Sequence, residues 1–79
     1  MDTTYSTAAR YRVRSAVRLT ILARIRLADD RTDEIKALLG VSDGAIRGWK
    51  AGTMPSFVKA QHYAPLLGMD PTTGRAVSP

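Results

Sequence analysis

The stretch LLGVSDGAIRGWKAG, residues 38–52, decides how this chain is read. Gly40 sits between Leu39 and Val41, and Ser42 opens a short segment that runs to Trp49. A glycine that stops a helix takes a left-handed backbone, which a β-carbon resists. A serine just beyond it can accept a hydrogen bond from the unpaired amides of the next helix start. The stretch therefore reads as a helix end, a tight turn and a second helix. In that second helix Ala45, Ile46 and Trp49 share one face and are expected to point inward. The opposite face carries Asp43, Gly44, Arg47, Gly48, Lys50 and Ala51: one acid, two cations and two glycines.

Upstream, DDRT (residues 29–32) places Asp30 or Thr32 as a cap for the preceding helix, with Asp33 and Glu34 at its positive end. Ile35, Leu38 and Leu39 give that helix its apolar face. Further upstream, Val13, Val17, Ile21 and Ile25 recur every four residues, broadened by Ala16, Thr20, Ala23 and Leu27, in a span free of Gly and Pro. That is helical periodicity. Leu19 and Leu22 fall on the far side near Arg26, which leaves apolar surface for a second contact or for solvent. Downstream, AGTMP is a loop and Pro55–Ser56 sets up another cap. A last helix follows with Phe57, Ala60, Tyr63, Ala64 and Leu67 inward, a kink expected at Pro65, and a stop at Gly68. The pattern predicts four helices at about 8–28, 32–39, 43–51 and 56–67, with no strands. Residues 1–7 are expected to be a flexible start, 8–69 the folded domain and 70–79 a flexible tail of turn composition.

The chain has 79 residues, enough for one small domain with a modest core. It lacks cysteine, which excludes disulfides and Cys-based zinc sites and fits a reducing cytoplasm. No segment is apolar enough to span a membrane, and the N-terminus lacks the apolar region of a signal peptide. Net charge is +5 and arginine supplies nine of the twelve basic residues. Such a balance points to an anionic partner, nucleic acid first. Catalysis finds no support: there is no histidine pair, no phosphate-cradling glycine loop and no nucleophile beside a base. His62 is the single histidine and reads as a surface residue. No cofactor, metal or small-molecule ligand is expected. The tyrosines, Tyr5, Tyr11 and Tyr63, do not alternate as a base-stacking platform would.

In order along the chain stand LLGVS (38–42), Ile46 and Trp49, GTMPS (52–56), Ala64 and LLGM (66–69). This ordered set resembles the lambda-repressor/Cro-like (Xre-type) helix-turn-helix family over about residues 31–70, half the chain. The resemblance implies a compact all-α, four-helix domain, lambda-repressor-like, whose second motif helix enters the major groove of double-stranded DNA. It also implies a small bacterial or phage transcriptional regulator, a repressor, acting in the host cytoplasm. A homodimer on paired half-sites is a fair expectation. The chain departs from the pattern at three places. Lys36 stands where the family has a small residue at the close approach of the two helices, so it must snorkel outward or the crossing is altered. Pro65 is unusual in its helix. Residues 70–79 are not suited to the fifth helix that builds dimers in the family.

On this reading Arg47 is the foremost base reader, since arginine can bond guanine O6 and N7 together. Lys50 suits a phosphate. Ser42 and Thr32, at helix starts, suit phosphates as well, and Thr53 in the following loop is a further candidate. Asp43 could accept from cytosine N4 or simply serve the helix end. Gly44 and Gly48 allow a close backbone approach or mark positions with no side-chain requirement. Arg24, Arg26, Arg31 and Lys59 are candidate phosphate contacts; Arg10, Arg12 and Arg14, with Arg75 more weakly, could form a basic arm. Two other functions fit the same residues. One is a DNA-binding accessory protein of terminase-small-subunit or excisionase type. The other is a helix-turn-helix reused as a protein-interaction module.

Overall fold

The computed structural model describes residues 6–27 and 32–77. It contains α1 (Thr7–Leu27), α2 (Thr32–Leu39), α3 (Asp43–Ala51) and α4 (Phe57–Leu66). Among the described residues there is no strand, only one isolated antiparallel bridge between Met69 and Ala76. The helix boundaries lie within a residue of those read from caps and turns. No described helix is long and apolar enough to cross a membrane.

The long α1 is the spine, and α2, α3 and α4 all pack on it, α4 most extensively. Ser6 caps it: the Ala9 amide donates to Ser6 Oγ at 3.1 Å. Of the start read as flexible, residues 1–5 lie outside the described residues, and Thr7 already belongs to α1. Val13, Val17 and Ile21 are fully buried and Ile25 nearly so, as the four-residue spacing requires. Two expectations for this helix fail. Leu22, placed on the far side with Leu19, is buried at 7 % exposure, whereas Leu19 stays 55 % exposed. A helix flanked by three others buries a wider arc than a one-sided helix, and Leu22 lies where α3 approaches α1. Ala23, placed on the inner stripe, is exposed. Leu27 ends the helix, and its side chain lies outside the described residues.

Ile35 and Leu39 from α2, Ile46 and Trp49 from α3, and Ala60, Tyr63 and Ala64 from α4 complete the core with Leu67 and Met69. The Trp49 and Tyr63 rings meet edge to face, centroids 5.9 Å apart, a favoured aromatic geometry. Leu38, assigned to the apolar face of α2, is 42 % exposed.

Gly40 adopts φ +66° and ends α2 as expected, its amide and that of Val41 both donating to the Lys36 carbonyl. At the end of α4, Met69 N–H bonds Ala64 O at 2.8 Å and Gly68 N–H bonds Pro65 O at 3.1 Å. This crossed pair satisfies the terminal carbonyls, and α4 runs one residue past Pro65, to Leu66. The residue after the cap, Met69, goes into the core.

The segment read as a tail from residue 70 does not trail away over its described part, 70–77. Asp70 accepts from the Thr72 amide (2.8 Å) and hydroxyl (2.6 Å), bonds that hold its carboxyl below the ordinary aspartate range. The chain then doubles back: Asp70 N–H bonds Arg75 O and Val77 N–H bonds Gly68 O, each at 2.8 Å. Gly74, at φ +73°, lies so close to α1 that a β-carbon there would come within 3.0 Å of the Ala16 methyl and 3.3 Å of the Val13 backbone. Turn composition was the visible signal; the contact with α1 depends on Gly74 reaching it, which periodicity does not record.

Candidate nucleic-acid interface

The face of α3 turned away from the core is the candidate surface. Ser42 caps the helix, accepting from the Ala45 amide at 3.2 Å. Asp43, Gly44, Arg47, Lys50 and Ala51 are exposed and Gly48 is half-buried, while Ile46 and Trp49 point inward. On a helical wheel the outer face divides in two. Lys50, Asp43 and Arg47 form a charged half. Ala51, Gly44 and Gly48 form a half with almost no side chains.

The charged half is connected. Asp43 Oδ2 lies 3.1 Å from Arg47 Nη2, one turn along the helix, with both side chains mostly in solvent. The Lys36 ammonium, from α2, approaches Asp43 at 3.9 Å and Asp33 at 3.8 Å. The Lys36 ammonium thus reaches out between α2 and α3, its side chain 32 % exposed. Its role as a tie from α2 to α3 was not read from the sequence. Lys50 flanks a shallow cleft of ≈ 290 Å³ with Leu22, Ile25 and Arg26, which brings two cations to one side of the α1–α3 seam.

The glycine half has no packing requirement. A β-carbon at Gly44 would meet only Ser42 Oγ at 3.8 Å, and one at Gly48 only the Thr53 side chain at 3.8 Å. Both are ordinary contacts, and neither glycine is among those with positive φ. Each glycine weakens the helix by up to about 1 kcal/mol relative to alanine. Gly44→Ala and Gly48→Ala are therefore expected to raise stability by roughly 0.5–1 kcal/mol each, read from urea midpoints. A loss of stability would show a packing role that the structure lacks.

Thr53 is exposed beside Gly48 and its amide bonds the Gly48 carbonyl at 2.9 Å. Thr32 opens α2, half-buried, on a different element. The structure thus groups Ser42, Asp43, Gly44, Arg47, Gly48, Lys50 and Thr53 on or beside α3. Asp30 and Arg31, named as a cap and a phosphate contact, lie outside the described residues. A wider open cleft of ≈ 790 Å³ runs between the α2–α3 turn and α4, lined by Val41, Trp49, Met54, Val58 and His62 among others.

Four of the six arginines of α1 are turned to other parts of the chain. Arg14 Nε donates to Pro55 O at 2.7 Å, Arg18 Nε to Trp49 O at 2.8 Å and Arg24 Nη2 to Leu67 O at 2.8 Å. Arg10 lies over the Phe57 ring, 5.4 Å from its centroid. These side chains hold the end of α3, the loop before α4 and the end of α4 against the spine. Interleaved arginines on an apolar helix carry no signal that separates this use from DNA contact, because the acceptors are backbone carbonyls far along the chain.

Comparison of this chain with protein-family models, with curated proteins and with solved structures gives no match.

Proposed function

We propose that α2, the Gly40–Ser42 turn and α3 act as a helix-turn-helix, and that the protein is a sequence-specific binder of double-stranded DNA. The reading extends to a small Cro-like regulator of phage or bacterial origin that represses by occupying an operator in the host cytoplasm. The observation that carries it is the presentation of Arg47. It stands on a short helix fixed from behind by Ile46, Trp49 and the Arg18 bond to the Trp49 carbonyl, its side chain 76 % exposed. A rigid helix with one prominent guanidinium suits the major groove, where arginine distinguishes guanine from other bases. Lys50 and Arg26 at the α1–α3 seam, with Ser42 and Thr53, supply donors for flanking phosphates. The net charge of +5 supplies the attraction.

Selection from a randomised duplex pool at two salt concentrations tests this. The expected result is a recovered motif containing guanine, with two-fold symmetry if the working unit is a homodimer. Arg47→Ala should relax one position of that motif, a loss of about 1–3 kcal/mol of discrimination. Binding with no motif, abolished by salt, would overturn sequence-specific recognition.

The glycine half of α3 supports a second reading, a protein-interaction module. Gly44, Gly48 and Ala51 offer a partner helix a close backbone approach. On that reading Arg47→Ala leaves function intact, and the bulkier Gly48→Leu abolishes it.

A further inference from the structure

Asp43 is an unusual occupant of a DNA-reading face, since its charge opposes phosphate. Its position explains what it can do. The carboxylate sits one helical turn before Arg47, its Oδ2 3.1 Å from Nη2 of the guanidinium. A guanidinium has further N–H donors in the same plane, so one carboxylate contact leaves enough for a base edge. The flanking positions Gly44 and Gly48 carry no side chain that could steady Arg47, and Lys36 approaches the Asp43 carboxylate from α2 at 3.9 Å. A long, exposed arginine otherwise samples many rotamers, and that freedom is lost on binding.

We propose that Asp43 is a positioning residue for sequence selection: it aims Arg47 at a base and, by its charge, weakens binding to duplexes that offer Arg47 only phosphates. This rests on the DNA-binding reading above and adds to it a division of labour within the charged half of α3. Lys36 anchors the carboxylate from α2, Asp43 orients Arg47, and Arg47 makes the contact. Specificity is the ratio of two affinities, and a group that lowers the unwanted one raises it as surely as a new contact.

The experiment compares the wild type, Asp43→Asn, Arg47→Ala and the double variant on the duplex selected by the wild type and on a random-sequence duplex, at fixed salt. Asp43→Asn is expected to bind the random duplex several-fold more tightly, as loss of one opposing charge requires. It should also lose about ten-fold in the ratio of selected to random binding, within the range of one arginine–guanine contact. In the Arg47→Ala background the same change should leave the ratio where Arg47→Ala alone put it. That non-additivity identifies a residue acting through Arg47. A helix-end role would lower the melting temperature and leave the ratio unchanged, which overturns the proposal. A shifted preference that persists without Arg47 overturns it too, in favour of direct contact with cytosine. Failure of the wild type to select any duplex would overturn the DNA-binding reading itself, and is seen before any variant is made.

Discussion

Replacing Trp49 with alanine is expected to leave the domain largely unfolded at physiological temperature. Trp49 is 5 % exposed on α3, and Arg18 of α1 bonds its carbonyl. Its ring meets Tyr63 edge to face and sits in the same core cluster as Leu39 and Ile46. Truncating a buried tryptophan costs about 3–5 kcal/mol through lost transfer energy and the cavity left behind. A chain of this length has a total stability of roughly 4–12 kcal/mol, so the loss is a large share of the whole. Trp49→Phe keeps a ring against Tyr63 and should recover most of it. Urea unfolding followed by far-ultraviolet circular dichroism is the measurement, because the substitution removes the sole tryptophan fluorophore. A loss below about 1 kcal/mol would contradict a core tryptophan.

The order of the helices and, Leu38 aside, the inward residues of α2, α3 and α4 were legible because they rest on local rules. Ser42 and Ser56 accept from amides three residues ahead. Gly40 takes the left-handed turn. Ile35, Ile46, Trp49 and Tyr63 follow the spacing of a buried helix face. What was hidden depends on distant parts of the chain. Leu22 was misplaced because a wheel does not tell how many helices surround α1. Met69 and Gly74 join the domain through contacts with residues far upstream or through a cap geometry, neither visible in a stretch of turn residues. On α3 the outer face was legible residue by residue. Its division into a charged half tied by Lys36 and a glycine half was not, because Lys36 belongs to the neighbouring helix.

The arginines of α1 give the second large effect. Arg18→Met should destabilise the domain by about 1.5–3 kcal/mol, the range for a hydrogen bond from a charged donor. Methionine keeps much of the apolar stem but withdraws the Nε–H donor that reaches the Trp49 carbonyl at 2.8 Å. That carbonyl then keeps only the longer bond from Gly52, at 3.2 Å, and the end of α3 loses a cation where the helix dipole favours one. Lysine should not restore the loss, because its terminal ammonium cannot reproduce the side-on Nε–H geometry. The same variant separates holding from binding. On the proposed DNA-binding reading, if Arg18 only fixes α3, the slope of log affinity for DNA against log salt stays at the wild-type value in Arg18→Met. Lys50→Ala should reduce it by about 0.9 where Lys50 meets a phosphate. A drop of that size in Arg18→Met, with stability unchanged, would move Arg18 from the fold to the DNA backbone. The unchanged slope is the expected result, since Arg18 is half-buried with its Nε–H on the carbonyl that keeps α3 in place.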